Sequence, residues 1–162
     1  MWSCTCLPGV GLRAESGTGV RVHVLVCRLA IEARTRAEIA EAQAIADLAA
    51  EHQWDENAAF DVVGERPFRI GEDTRLVDEF IVLEVAALKQ ISVSAATWLI
   101  RDVVNLKARH PMLWRQATHG RVPIYRACQL AAEVARFDLS LEEAGELDAE
   151  LAAKVGRLPG GV

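Results

Sequence analysis

The sequence predicts an all-α fold: a compact multi-helix bundle of about five helices that includes a helix-turn-helix-like hairpin. Three observations predict it. The stretch from Cys27 to Gln53 is rich in Ala, Glu and Arg, a composition of high helix propensity. From Thr74 onward, windows with apolar residues at i, i+3 and i+4 follow one another, each closed by Pro, Gly or a capping pattern. The one alternating run, Val20 to Cys27, finds no convincing second strand to pair with, so it is read as a lead-in to the first helix.

At 162 residues and 51% hydrophobic composition, the chain is long enough for one domain with a real core. Residues 1–19, rich in Gly, Ser, Thr and Cys without a period, read as a flexible leader, and residues 20–162 as a single helical domain. No run approaches the roughly 18 apolar residues of a membrane span. The early segment VRVHVLVCRLAI carries Arg21, His23 and Arg28 and lacks a small-residue cleavage site, so it is not a signal peptide. A cytoplasmic protein without a membrane partner is expected. Cys4 and Cys6 are too close for an ordinary disulfide. A zinc site from Cys4, Cys6, His23 and Cys27 can be drawn, but structural zinc sites favour Cys pairs two to four residues apart, so no metal or other cofactor is expected.

The first helix covers about Cys27 to Gln53, with Ala30, Ala33, Ala37, Ala40, Ala44 and Leu48 on one stripe. Trp54 and Phe60 anchor the next connection to the core, and Gly64, Pro67 and Gly71 break periodicity, giving a loop or short hairpin from Asp61 to Asp73. A second helix is predicted from about Thr74 to Gln90. Val77, Ile81, Val85 and Leu88 lie on one face and Leu76, Phe80, Leu83 and Ala87 widen it, which makes this the central helix. Glu79 and Glu84, five positions apart, are structural acids rather than a catalytic pair. The third helix, about Val93 to Arg109, turns Ala96, Leu99, Ile100 and Val103 inward, has Ser92 or Ser94 as N-cap and ends at Pro111. A short helical turn with Met112, Leu113 and Trp114 leads to Gly120, a C-terminal cap residue. Pro123 starts the fourth helix, whose face is Ile124, Cys128, Ala131 and Ala135. The last opens with the capping box Ser140-Leu-Glu-Glu143 and continues through Ala144, Leu147, Leu151, Val155 and Leu158.

The net charge of −5 argues against a surface that coats nucleic acid or membrane as a whole. Its distribution is uneven. Seven Lys/Arg face two acids from Arg101 to Arg136, whereas six acids face two basic residues from Phe137 onward. Arg101, Lys107, Arg109, Arg115 and Arg121 are therefore the candidate nucleic-acid-binding residues, as a rim that tracks phosphates; two solvated helix faces that neutralise each other would give the same numbers. Trp114 could stack on a base but reads better as a core plug, and His110 and His119, flanked by basic residues, read as solvent-exposed. Cys128 in its apolar pattern is a small core hydrophobe. No phosphate loop, nucleophile elbow or HExxH occurs, so no catalytic residue and no small-molecule substrate is assigned.

Within EVAALKQISVSAATWL, Ala86 stands where close helix crossing needs a small residue, Ile91 is the apolar turn residue, and Ala96 and Leu99 face inward. This resembles a helix-turn-helix, with Ser94, Ala95, Thr97, Trp98 and Arg101 on or near the recognition helix. Gln90 departs from it, since the turn usually takes Gly for positive φ. A hairpin that only packs in a bundle accounts for the same pattern.

The ordered series Val77-x-Glu79-Phe80, Glu84-Val85-Ala86-Ala87-Leu88, Pro111-x-Leu113-Trp114, Gly120-Arg121-Val122-Pro123, Ala127, Leu139-Ser140, Asp148 and Gly156 resembles the actinobacterial domain of unknown function 222, the 13E12 repeat family, from roughly Cys27 to the C-terminus. The resemblance implies a helical domain of the kind that precedes a zinc-associated HNH nuclease module. No residue here matches that module, so a truncated member or gene remnant that retains the helical domain alone is expected, non-catalytic and in contact with duplex DNA through the basic rim. The alternative is an interaction domain that docks a second copy of itself or another helical protein.

Overall fold

A computed structural model describes residues 16–54, 67–69, 76–137 and 139–155. These form α1 (Ser16–Glu51), β1 (Gln53–Trp54), β2 (Pro67–Arg69), β3 (Leu76–Asp78), α2 (Phe80–Lys89), α3 (Val93–Arg109), α4 (Pro111–Thr118), α5 (Ile124–Ala135) and α6 (Leu141–Val155). The all-α class predicted by the sequence is the class observed. The described residues hold six helices rather than about five, because the predicted short turn around Leu113 is a full two-turn helix, α4. Its ends are well defined: Pro111 occupies the first turn, and Gly120 at φ +73° closes it, with Gly120 N–H on Ala117 O and Arg121 N–H on Gln116 O.

The chain divides into two units, Met1–Arg34 and Thr35–Val162. In the first, the alternating run from Val20 is helical. The helix begins at Ser16, so residues 16–19 of the expected leader belong to it, while residues 1–15, with Cys4 and Cys6, lie outside the described residues. Its apolar side chains Val20, Val22, Val24, Leu25, Val26, Leu29 and Ile31 are all exposed, as is Cys27. Arg28 and Glu32 pair at 2.9 Å one turn apart.

The second unit contains the core. Its stretch of α1 buries Ala42, Ile45, Ala46 and Ala49, with Ile39 and Leu48 packed alongside. This corrects the predicted stripe: Ala30, Ala33, Ala37, Ala40 and Ala44 are exposed. Alanines occur all round this helix and bury little area each, so the two isoleucines, with several times the apolar surface of a methyl group, decide which face turns inward. After α1 the chain adds a small antiparallel sheet in the order β1-β3-β2, with Gln53 opposite Val77 and Phe68 opposite Val77 on the other side. The predicted second helix therefore starts later. Residues 76–78 are its strand neighbour, Asp78 Oδ1 accepts from Phe80 N–H at 2.9 Å, and α2 runs only from Phe80. Three short runs pair where a single one could not, each strand supplying the others with hydrogen-bond partners. Phe60 lies outside the described residues.

The central helix is α3, not α2. Ala96, Ile100, Val103 and Leu106 are fully buried, and α3 packs against α2, α4, α5 and α6. On α2 only Ile81, Val82, Val85 and Ala86 are buried, while Phe80, Leu83 and Leu88 are exposed, Leu88 by 82%. The α3 boundaries match the sequence reading residue for residue, because Ser92 caps one end, its hydroxyl accepting from Ala95 N–H at 3.2 Å, and Pro111 blocks the other. On α5 the inward residues are Ile124, Ala127, Cys128, Ala131 and Val134, and Ala135 is exposed. The capping box forms as predicted: Ser140 N–H donates to Glu143 Oε2 at 2.9 Å and Glu143 N–H to Ser140 Oγ at 3.3 Å. Ala144, Asp148 and Ala152 are the buried stripe of α6, with Leu147, Leu151 and Val155 half-buried beside it; Leu158 is not among the described residues.

Candidate nucleic-acid interface

The turn between α2 and α3 is built on Gln90. Its backbone sits at φ +54°, ψ +43°, with Gln90 N–H on Ala87 O at 3.3 Å and Ile91 N–H on Ala86 O at 3.0 Å. That is the left-handed helix stop usually built on glycine, formed here by a glutamine. Among the described residues Gln90 is the one non-glycine with positive φ. The two helices meet at 107°, inside the roughly 90–120° of helix-turn-helix hairpins. The expected departure at Gln90 therefore changes the residue but not the turn.

With Ala96 and Ile100 buried, the opposite side of the first half of α3 faces solvent. Val93, Ser94, Ala95, Trp98 and Arg101 are exposed there, and Thr97 is half-buried. The Arg101 guanidinium lies over the Trp98 ring, 5.1 Å from its centroid. At an exposed site such a pair contributes about 0.5–1 kcal/mol and holds both side chains along the helix. An aromatic and a cation three residues apart on a helix face was the sequence signal for this pair. Trp114, which reads better as a core plug than as a base-stacking residue, is packed half-buried against the core.

The five predicted cations fall into two groups. Lys107 and Arg109 lie two residues apart, about 200° around the helix, and are drawn to different neighbours. Lys107 Nζ pairs with Asp47 Oδ1 of α1 at 2.9 Å, and the Arg109 guanidinium donates to the carbonyl oxygen of Leu139 ahead of α6. Arg101, Arg115 and Arg121 are exposed and make no ion pair with a described residue, although Arg121 donates to Gln116 Oε1 at 3.2 Å. The predicted rim is thus divided between cations that tie helices together and cations left to solvent.

His110 departs from the expectation of exposure: it is 1% exposed, whereas His119 is exposed as expected, with its Nδ1 2.7 Å from Arg115 O. His110 is both the last cap of α3 and the first of α4, and that double role places its ring inside the joint. Asp148 from α6 enters the same joint, 1% exposed, and accepts from Met112 N–H at 2.7 Å and Leu113 N–H at 3.0 Å. A carboxylate thereby satisfies two free N–H groups at the start of α4. The His110 Nδ1 has no hydrogen-bond partner and lies 3.9 Å from Asp148 Oδ1. Burial pushes the imidazole below its ordinary value more than Asp148 raises it, so the ring is neutral near pH 7. This acid and base are a structural joint. The sequence signal for Asp148 was its place between Ala144 and Ala152, one turn away on either side.

No group of three or more potential metal ligands occurs among the described residues. No single described helix is long and apolar enough to cross a membrane. No protein-family model, curated protein or solved structure matches the chain.

Proposed function

We propose that the chain is a non-catalytic, DNA-associated helical module, of the kind that the resemblance to domain of unknown function 222 implies, and that it contacts duplex DNA through the α2–α3 hairpin. One observation carries the reading: the stop at Gln90 and the 107° crossing leave the first half of α3 exposed, with Trp98 and Arg101 stacked on it. Helix-turn-helix proteins use this part of the second helix to reach base edges. Arg115 and Arg121, exposed and without a carboxylate partner among the described residues, supply phosphate contacts. The test is the salt dependence of binding to a labelled duplex. The affinity should fall steeply with salt, and Arg101→Ala should weaken it at every salt concentration; absence of binding at low salt rejects the reading.

A second reading, self-association or docking of another helical protein, is favoured by the exposed apolar side chains on the first unit of α1 and on α2. Light scattering separates the two. A strict monomer at high protein concentration that still binds DNA leaves the first reading alone.

A further inference from the structure

A cavity of about 440 Å3 opens between α1, α3 and α5 in the second unit. Its volume falls within the ~300–1,000 Å3 typical of small-ligand sites. Ile45, Leu99, Val103 and Ile124 give it an apolar wall. The Cys128 thiol, 8% exposed, lines it without a hydrogen bond to a described residue. Burial first, and the charge of Asp102 second, push that thiol up to about 12, so it is a neutral part of the wall and not a nucleophile.

The charged groups on the lining are unbalanced. Glu38, Glu41 and Asp102 face a single cation, Lys89, which already pairs with Glu41. Glu38 has an interaction of its own. Asp102 is different: half-buried on α3, it makes no hydrogen bond or ion pair with a described residue. Burial raises its carboxyl above the ordinary carboxylate value, and the neighbouring Arg101 offsets this only in part. A carboxylate poorly solvated beside an apolar wall favours one ligand chemistry, a cation with an apolar body.

We propose that this cavity binds a small organic cation, a primary ammonium on an apolar body, with the ammonium on Asp102 and the body against Ile45, Leu99 and Ile124. The proposal does not rest on DNA binding, although Asp102 neighbours Arg101 on α3. Anions are disfavoured by the surplus of carboxylates, and a neutral ligand leaves Asp102 as poorly solvated as before. Binding should weaken as the pH falls through the raised value of Asp102, because the protonated acid has no charge to offer.

The experiment is a titration of the full chain with phenethylammonium, followed through the methyl signals of Leu99, Val103 and Ile124 by NMR. Phenethyl alcohol serves as the neutral isostere and phenylpropionate as the anion. The methyl signals should shift with phenethylammonium, and the two other probes should bind at least about tenfold more weakly, the scale of one charge-assisted hydrogen bond. Asp102→Asn should remove that preference. Ala132→Phe, an exposed lining position on α5, should block all three probes by filling the mouth without disturbing the core. Unchanged thermal melts of both variants establish that they fold. Equal affinity for the alcohol, an unaltered preference in Asp102→Asn, or no methyl shift at millimolar phenethylammonium overturns the proposal.

Discussion

Gln90 holds a conformation that costs an L-residue other than Gly or Asn about 1–2 kcal/mol, at φ +54°. Replacing it by Gly relieves that strain and returns part of the gain as extra freedom of the unfolded chain. Gln90→Gly should therefore stabilise the protein by ~0.5–1 kcal/mol in urea unfolding. Gly120, at φ +73° in the equivalent place on α4, should respond in the opposite direction to Gly120→Ala. His110 sets a second expectation at this scale. Its folded value lies below the ordinary value of 6.5, so the unfolded chain takes up the proton first as the pH falls. The stability tied to the neutral ring is complete above pH 6.5 and is lost below it, with a slope of at most about 1.4 kcal/mol per pH unit from this one group. Melts between about pH 6.5 and 5.5 should show this slope, and His110→Gln should flatten it.

At the scale of elements, the sequence located α3 and α6 well because their ends are written locally. Ser92, Pro111 and the Ser140–Glu143 pair satisfy or block backbone groups within one turn of themselves. It located α2 poorly. Val77, Ile81, Val85 and Leu88 share a helical period, yet Val77 belongs to a strand and Leu88 is 82% exposed. A short apolar run fits both periods, and the choice falls to whichever neighbours supply hydrogen bonds; here β1 and β2 supply them. The energetic counterpart is testable. Ile100→Ala, at the fully buried centre of α3, should cost about 2–5 kcal/mol in urea unfolding, whereas Leu88→Ala should change stability by less than about 0.5 kcal/mol because its side chain is mostly in water.

For the whole molecule, the net charge of −5 conceals the division that matters. Lys107 ties α3 to α1 and Arg109 ties it to the approach of α6, while Arg101, Arg115 and Arg121 meet solvent. Removing cations of the first kind should lower the melting temperature, modestly for the surface pair Lys107–Asp47, whose worth is about 0–1 kcal/mol. It should leave the salt slope of DNA binding unchanged. Arg115→Ala and Arg121→Ala should leave the melt unchanged and lower the slope by about 0.9 for each phosphate no longer neutralised. Paired melts and salt titrations of the four single variants check this sorting; a slope that falls with Lys107→Ala instead assigns the phosphate contacts to the other group. All five cations were legible in the sequence as a local excess of charge, but their partners were not. Asp47 is 60 residues from Lys107 and Leu139 is 30 from Arg109, and no local pattern reports such distances.

Local sequence is enough for the helical class, the limits of α3, the capping box of α6, the burial of Cys128 and the concentration of cations from Arg101 onward. Each of these follows from side chains within about a turn of one another or from composition. It took long-range packing to make α3 and not α2 central, to orient α1 by Ile39 and Ile45 rather than by the alanine stripe, to bring His110 and Asp148 together inside the α3–α4 joint, and to set Asp102 beside a cavity. These depend on which of several apolar faces buries the most area and on which charges find partners far along the chain. That competition is settled by packing all the helices together at once.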